Sequence, residues 1–218
     1  MLIWAAITHN PAALYVAATA IIRLALAIVG IKLRVHGAEH IQTNRAAVYA
    51  FNHSSNVEPP IAFMALRTLF PQLRIMYKAE LRKLPVLVWV FDAAGFVPVE
   101  RQNRDQSLPA VDKAVDALRS GASFLIFPEG TRSRTGELLP FKKGGVVMAL
   151  KAQVPIVPCV IEGTRNAMRK GSPVVHPVTV DVTICPPVET TGCMLSDRDN
   201  LIEAVRAPIA AKLAASRI

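Results

Sequence analysis

Acidic side chains are scarce in this chain, and so are cysteines, aromatics and charged residues as a whole. Of 218 residues, 16 are Asp or Glu against 25 Lys or Arg, a formal net charge of +9, and charged residues make up only 19%. A typical globular chain carries about 25%. Hydrophobic residues reach 52%, which excludes intrinsic disorder and a nucleic-acid-binding tail. Aromatics are only 6%, and nothing reads as a DNA-reading helix, so nucleic acid is excluded as a partner. The three cysteines, Cys159, Cys185 and Cys193, form neither a CxxC pair nor a His/Cys ligand cluster. That pattern fits a reducing compartment and buried thiols, and it gives no metal site. A serine hydrolase built on Ser54 or Ser55 beside His53 would need a GxSxG elbow, and the chain has none. What remains is a basic, apolar chain suited to anionic membranes or phosphorylated substrates.

Long apolar runs are confined to the start. Residues 12–31 form a run of 20 with one charge, Arg23, near its middle. An arginine at the centre of a span costs about 2.5–3.5 kcal/mol on insertion scales. The first positive charge falls inside the run, so a signal peptide fits poorly. A span, a pair of helices dipping into one leaflet on either side of Pro11, and a helix packed on the soluble core are all open. The dipping pair is preferred, because Arg23, Lys32 and Arg34 can snorkel to headgroups. Residues 1–31 are therefore expected to be a membrane-associating helical segment, monotopic or a single anchor, and residues 32–218 an α/β domain.

From residue 31 the periodicity changes. Residues 31–37 alternate as a half-buried strand does. Apolar strands are expected at 46–51, 73–77, 96–99, 123–127, 156–161 and 174–184. Helices are expected at about 59–66 and 84–91, both opened by proline, then at 105–119, 143–153 and 196–217, the last interrupted at Pro208. The fold class is α/β: one domain with a mixed, largely parallel sheet flanked by helices, plus the N-terminal apolar helical membrane element.

Polar clusters follow several of the strands, where α/β sheets bind ligands. In Asn52-His53-Ser54-Ser55-Asn56-Val57-Glu58 a histidine leaves a buried strand five residues before a carboxylate. The carboxylate can fix the imidazole tautomer while the other ring nitrogen takes a proton from a hydroxyl, although a surface contact has the same spacing. In Phe127-Pro128-Glu129-Gly130-Thr131-Arg132-Ser133-Arg134 a strand ends in a turn that presents a carboxylate, a hydroxyl and two guanidiniums. Such a group suits a phosphate, or is a solvated turn. Gly95-Phe96-Val97-Pro98-Val99-Glu100-Arg101 presents another arginine. Val154-Pro155-Ile156-Val157-Pro158-Cys159-Val160 reads by itself as an edge or boundary strand.

In this order the four blocks NHSSNVE, GFVPVER, FPEGTR and VPIVPCV, with KAEL between the first two, closely resemble the glycerophospholipid (1-acylglycerol-3-phosphate) acyltransferases over about residues 48–160. The resemblance implies an enzyme that moves a fatty acyl group from acyl-CoA or acyl carrier protein to the free hydroxyl of a lysophospholipid, 1-acylglycerol-3-phosphate giving phosphatidic acid. It implies no further cofactor and a place at the cytoplasmic face of the cell membrane. His53 resembles the family's general base and Glu58 its orienting acid. Asn52, Lys78, Arg101, Glu129, Gly130, Thr131 and Arg132 resemble the acceptor-side residues, and Pro155 and Pro158 a block near the acyl donor. The family's usual residue at position 58 is aspartate. Glutamate is one methylene longer, so one alternative is a membrane lipid-binding protein with an impaired dyad; the other, since the sequence does not choose the acceptor, is an acyltransferase for another lyso-lipid, such as a lyso-ornithine lipid. Residues 131–170 hold eight basic side chains against Glu137 and Glu162, a field that would attract phosphates or an acidic carrier protein.

Overall fold

A computed structural model describes residues 11–100, 104–168 and 174–216. Seven strands, β1 (Lys32–His36), β2 (Val48–Phe51), β3 (Leu73–Lys78), β4 (Val97–Val99), β5 (Ser123–Ile126), β6 (Ile156–Glu162) and β7 (Thr179–Ile184), form one sheet. Their spatial order is β1-β7-β6-β2-β5-β3-β4. Every neighbouring pair is parallel except β6 with β7.

β2 shows why the sheet is buried on both sides. Its side chains alternate between faces, yet all four positions are buried. Tyr49 and Phe51 join Leu125, Val157 and Ile161 under the helices Pro11–Ile28 and Glu58–Ala65, through Tyr15, Ile61 and Ala62. Val48 and Ala50 join Phe124 and Ile156 against the helices Arg104–Arg119, Gly144–Ala152 and Arg198–Ala215, through Val115, Met148 and Val205. The mixed, largely parallel sheet flanked by helices is thus observed.

The N-terminal membrane element is not. Among the described residues, no helix is long and apolar enough to cross a membrane. The helix Pro11–Ile28 instead buries Leu14, Tyr15 and Ala17. The Tyr15 ring lies 5.5 Å from that of Phe63 and 4.7 Å from that of Phe70, and its hydroxyl donates to the Leu73 carbonyl. Apolarity that composition alone assigns to a bilayer is here, on this face, core packing. Residues 1–10 lie outside the described residues.

Three local expectations also change. The strand expected at 174–184 occupies only Thr179–Ile184. The last helix runs unbroken through Pro208, because buried Val205 and Ile209 pin it on either side of the lost backbone donor. β6 is not an edge strand: it lies between β2 and β7 although Pro158 sits within it. Its pairing with β7 begins only at Cys159, so no ladder bond needs the missing Pro158 N–H, and the Pro158 carbonyl accepts from Cys185 N at 2.9 Å.

Because β2, β3, β4, β5 and β6 all run parallel, their carboxyl ends share one edge of the sheet. His53, Lys78, Glu129 and the turn at Gly163 leave from that edge.

Candidate active site

β2 delivers Asn52 and His53 to the carboxyl edge, and the helix Glu58–Ala65 begins five residues later with Pro59 and Pro60 in its first turn. An acidic side chain is favoured there by the free N–H groups of a helix start. Glu58 Oε2 lies 2.7 Å from His53 Nδ1, with the carboxylate fully buried and the imidazole 11% exposed. The extra methylene of glutamate is therefore absorbed with no loss of contact. A carboxylate only accepts, so Nδ1 carries the proton and Nε2 keeps its lone pair. Among the described residues no hydrogen bond occupies Nε2. Phe127 stacks on the imidazole at 4.3 Å and limits its rotation.

The Glu58 carboxylate is saturated. Oε2 also accepts from Ser54 N at 2.7 Å, while Oε1 accepts from Ser54 Oγ at 2.7 Å and from Thr164 Oγ1 at 2.6 Å. Ser54 therefore spends its proton on Glu58 and points away from the nucleophile role of a serine hydrolase. Ser55, whose hydroxyl donates to the Met168 carbonyl at 2.7 Å, does likewise.

The loop after β5 wraps the same histidine through its backbone. Glu129 Oε1 accepts from His53 N at 2.6 Å, and Oε2 accepts from Leu139 N at 2.9 Å. Ser133 N donates back to the His53 carbonyl at 2.8 Å. Glu129 is buried, and its carboxyl is pushed up from the ordinary 4.5 to about 7. Burial is the largest cause; the Leu139 and His53 N–H groups pull it back, Glu58 raises it and Arg206 lowers it. The folded chain holds a proton here over a range where the unfolded chain has released it. This group's contribution to stability is therefore full below about pH 4.5 and lost as the pH rises through about 7. Urea unfolding at about pH 5 and about pH 7.5 is expected to show the wild type losing stability relative to Glu129→Gln. Equal pH dependence in both proteins would contradict this.

The acceptor-side residues named from sequence separate into two kinds. Asn52, Glu129 and Gly130 build the frame. The Asn52 amide is committed in both directions to Ile161, donating to its carbonyl at 3.0 Å and accepting from its N–H at 2.7 Å. Gly130 turns the chain with φ +68, where a Cβ would meet the Lys142 side chain at 2.7 Å. Thr131 is exposed, Arg132 is half-buried and donates to Asn56 Oδ1, and Lys78 pairs with Glu80 at 2.8 Å at the end of β3. Thr131 and Arg132 lie on the loop after β5 and Lys78 ends β3, all at the carboxyl edge. Arg101 lies outside the described residues.

Pro155 and Pro158 are not brought to the histidine. The Pro155 carbonyl accepts from Val48 N at the opposite, amino edge of the sheet, and Pro158 is buried within β6. The basic stretch 131–170 is partly committed too: Lys151 pairs with Asp112 at 2.8 Å, Lys143 lies 3.8 Å from Asp199, and Arg165 donates to the Thr135 carbonyl.

Three contributors escaped the sequence reading: Thr164, the Ser54 hydroxyl as a carboxylate donor, and the Phe127 ring. A threonine directly after a glycine at the end of an apolar strand was the available signal for the first.

The Acyltransferase family profile matches residues 32–162, more than half of the chain. The chain belongs to the acyltransferase family. A 1-acyl-sn-glycerol-3-phosphate acyltransferase of Limnanthes douglasii is 34% identical over 196 residues, covering 89% of this chain and 68% of that protein. One from Borreliella burgdorferi is 30% identical over 199 residues, covering 91% and 78%. The crystal structure of the 1-acyl-sn-glycerophosphate acyltransferase of Thermotoga maritima superposes with a TM-score of 0.80 at 28% identity, over 93% of this chain and 79% of that one. This acyltransferase is an enzyme of the 1-acylglycerol-3-phosphate O-acyltransferase type.

Proposed function

We propose that this acyltransferase moves a fatty acyl group from acyl-CoA or acyl carrier protein to the free hydroxyl of 1-acylglycerol-3-phosphate, giving phosphatidic acid, with His53 as general base. The observation that carries the reading is the 2.7 Å contact between His53 Nδ1 and the fully buried Glu58 Oε2, which leaves Nε2 basic. Nε2 takes the proton of the acceptor hydroxyl as that oxygen attacks the thioester carbonyl. The tetrahedral intermediate then expels the thiolate, which takes the proton back from Nε2. Acyl group and proton balance, the histidine ends as it began, and the reaction so written uses no cofactor beyond the acyl thioester. Glu58 stabilises the imidazolium that forms in between.

Arg132, Thr131 and Lys78, at the edge of the sheet that carries His53, are suited to receive the acceptor phosphate. Acceptor and product are lipids, so the encounter is assigned to the cytoplasmic face of the cell membrane, where anionic headgroups attract a chain of net charge +9. The 2.7 Å reach of the longer carboxylate to Nδ1 favours a working dyad over an impaired one.

The test is transfer of a labelled acyl chain from each thioester to a panel of lyso-lipids in detergent micelles, with and without the phosphate. Labelled phosphatidic acid formed faster than any other product is expected. Transfer only to a phosphate-free lyso-lipid would reassign the acceptor.

A further inference from the structure

Aspartate to glutamate in a His–carboxylate pair adds one rotatable bond, and the last torsion of such a side chain is broad. Some donor must fix it if Oε2 is to stay on Nδ1. A carboxylate offers about four lone-pair sites, and all of those of Glu58 are used. His53 Nδ1, Ser54 N and Ser54 Oγ supply three donors from two adjacent residues, which move with the histidine itself. The fourth, Thr164 Oγ1 at 2.6 Å from Oε1, comes from 106 residues away in sequence. We propose that Thr164 is the positioning residue that lets a glutamate serve His53, its hydroxyl setting the carboxylate torsion that aims Oε2 at Nδ1.

The site is built for this. Thr164 is 1% exposed, so water does not compete for Oε1. It opens the short helix Thr164–Ala167, directly after β6 and Gly163. Gly163 has φ +88, and a Cβ there would lie 2.6 Å from the Thr179 carbonyl oxygen, so the turn that aims the threonine is anchored on the β6–β7 ladder. A second tie, Ser55 Oγ to the Met168 carbonyl, holds the 164–168 segment to the loop after His53. Thr164 touches neither reacting atom. It acts through Glu58.

The proposal rests on His53 as base, and its test separates the two. The kinetics of acyl transfer by the full chain are compared for wild type, Thr164→Val, Thr164→Ser, Glu58→Asp and Thr164→Val with Glu58→Asp. Thr164→Val is expected to lower kcat about 30-fold, since misplacement by 1 Å costs on the order of 100-fold, with KM for both substrates within about twofold. Serine, which keeps the hydroxyl, restores kcat to within about threefold of wild type. Aspartate is shorter by one bond, about 1.5 Å, and falls short of Thr164, so in that background valine costs less than about threefold. Equal losses in the two backgrounds would show that Thr164 only supports the fold, and a Thr164→Val kcat close to wild type would overturn the proposal. Should melting show that valine disturbs the fold, Thr164→Ala carries the same comparison. A wild type that transfers no acyl group to any lyso-lipid would instead overturn the general-base reading.

Discussion

Replacing His53 by alanine is expected to lower kcat for acyl transfer by about 1000-fold or more, since a positioned general base contributes about 100- to 10,000-fold. The fold should survive. The backbone of residue 53 is held by Glu129 and Ser133 through its N–H and carbonyl, and neither bond uses the imidazole. The melting temperature of the variant is therefore expected within a few degrees of wild type. The cavity left between Phe127 and Glu58 should admit free imidazole, so added imidazole is expected to restore part of the lost rate. A folded variant with wild-type kcat would remove His53 from the mechanism.

Glu58→Gln is the second large effect, and it separates charge from geometry. The glutamine oxygen can accept from His53 Nδ1 and Ser54 N, while its NH2 faces the hydroxyls of Ser54 and Thr164, which rotate to accept. Shape and tautomer are kept, and the negative charge opposite the developing imidazolium is lost. At a fully buried position water does not screen that loss. A fall of about 100- to 1000-fold in kcat with little change in KM is expected, because the charge acts on a species present only during transfer. The measurement is steady-state kinetics with 1-acylglycerol-3-phosphate as acceptor. A fall confined to KM would place Glu58 in substrate binding instead.

Much of this site is written locally, and that part was legible. His53 and Glu58 are five residues apart, separated by a single loop between a strand and a proline-opened helix, so a contact could be read from the chain alone. The apolar strands were legible for the same reason: β2 and β5 are short buried runs that stop at polar turns. What escaped was long-range. Thr164 meets Glu58 only because β6 lies beside β2, and no spacing in the chain records that neighbour. Asn52 and Glu129 look like ligands for a substrate because they are polar residues in conspicuous clusters. Burial shows them bonding backbone groups of Ile161, His53 and Leu139 instead. Pro155 and Pro158 belong to a recognisable block, yet Pro158 sits within β6 and Pro155 directly before it, so both are parts of the sheet. Of the apolar run at 12–31, Leu14, Tyr15, Ala17 and Ile31 are buried while Val16, Ile21, Leu24 and Ile28 are exposed; lipid and protein interior reward the same side chains, so composition does not say which of them enter the core.

Direct attack by the acceptor hydroxyl, with His53 as base and no covalent intermediate, is tested most simply by leaving the acceptor out. The full chain is mixed with one equivalent of a long-chain acyl thioester, and the intact protein mass and free thiol are followed over time. General-base catalysis predicts an unmodified protein mass and no burst of thiol until the lyso-lipid is added, followed by release of thiol and new ester in equal amounts. A rapid stoichiometric burst of thiol with one acyl group added to the protein would mean that a side chain of the enzyme, and not the lyso-lipid, makes the first attack.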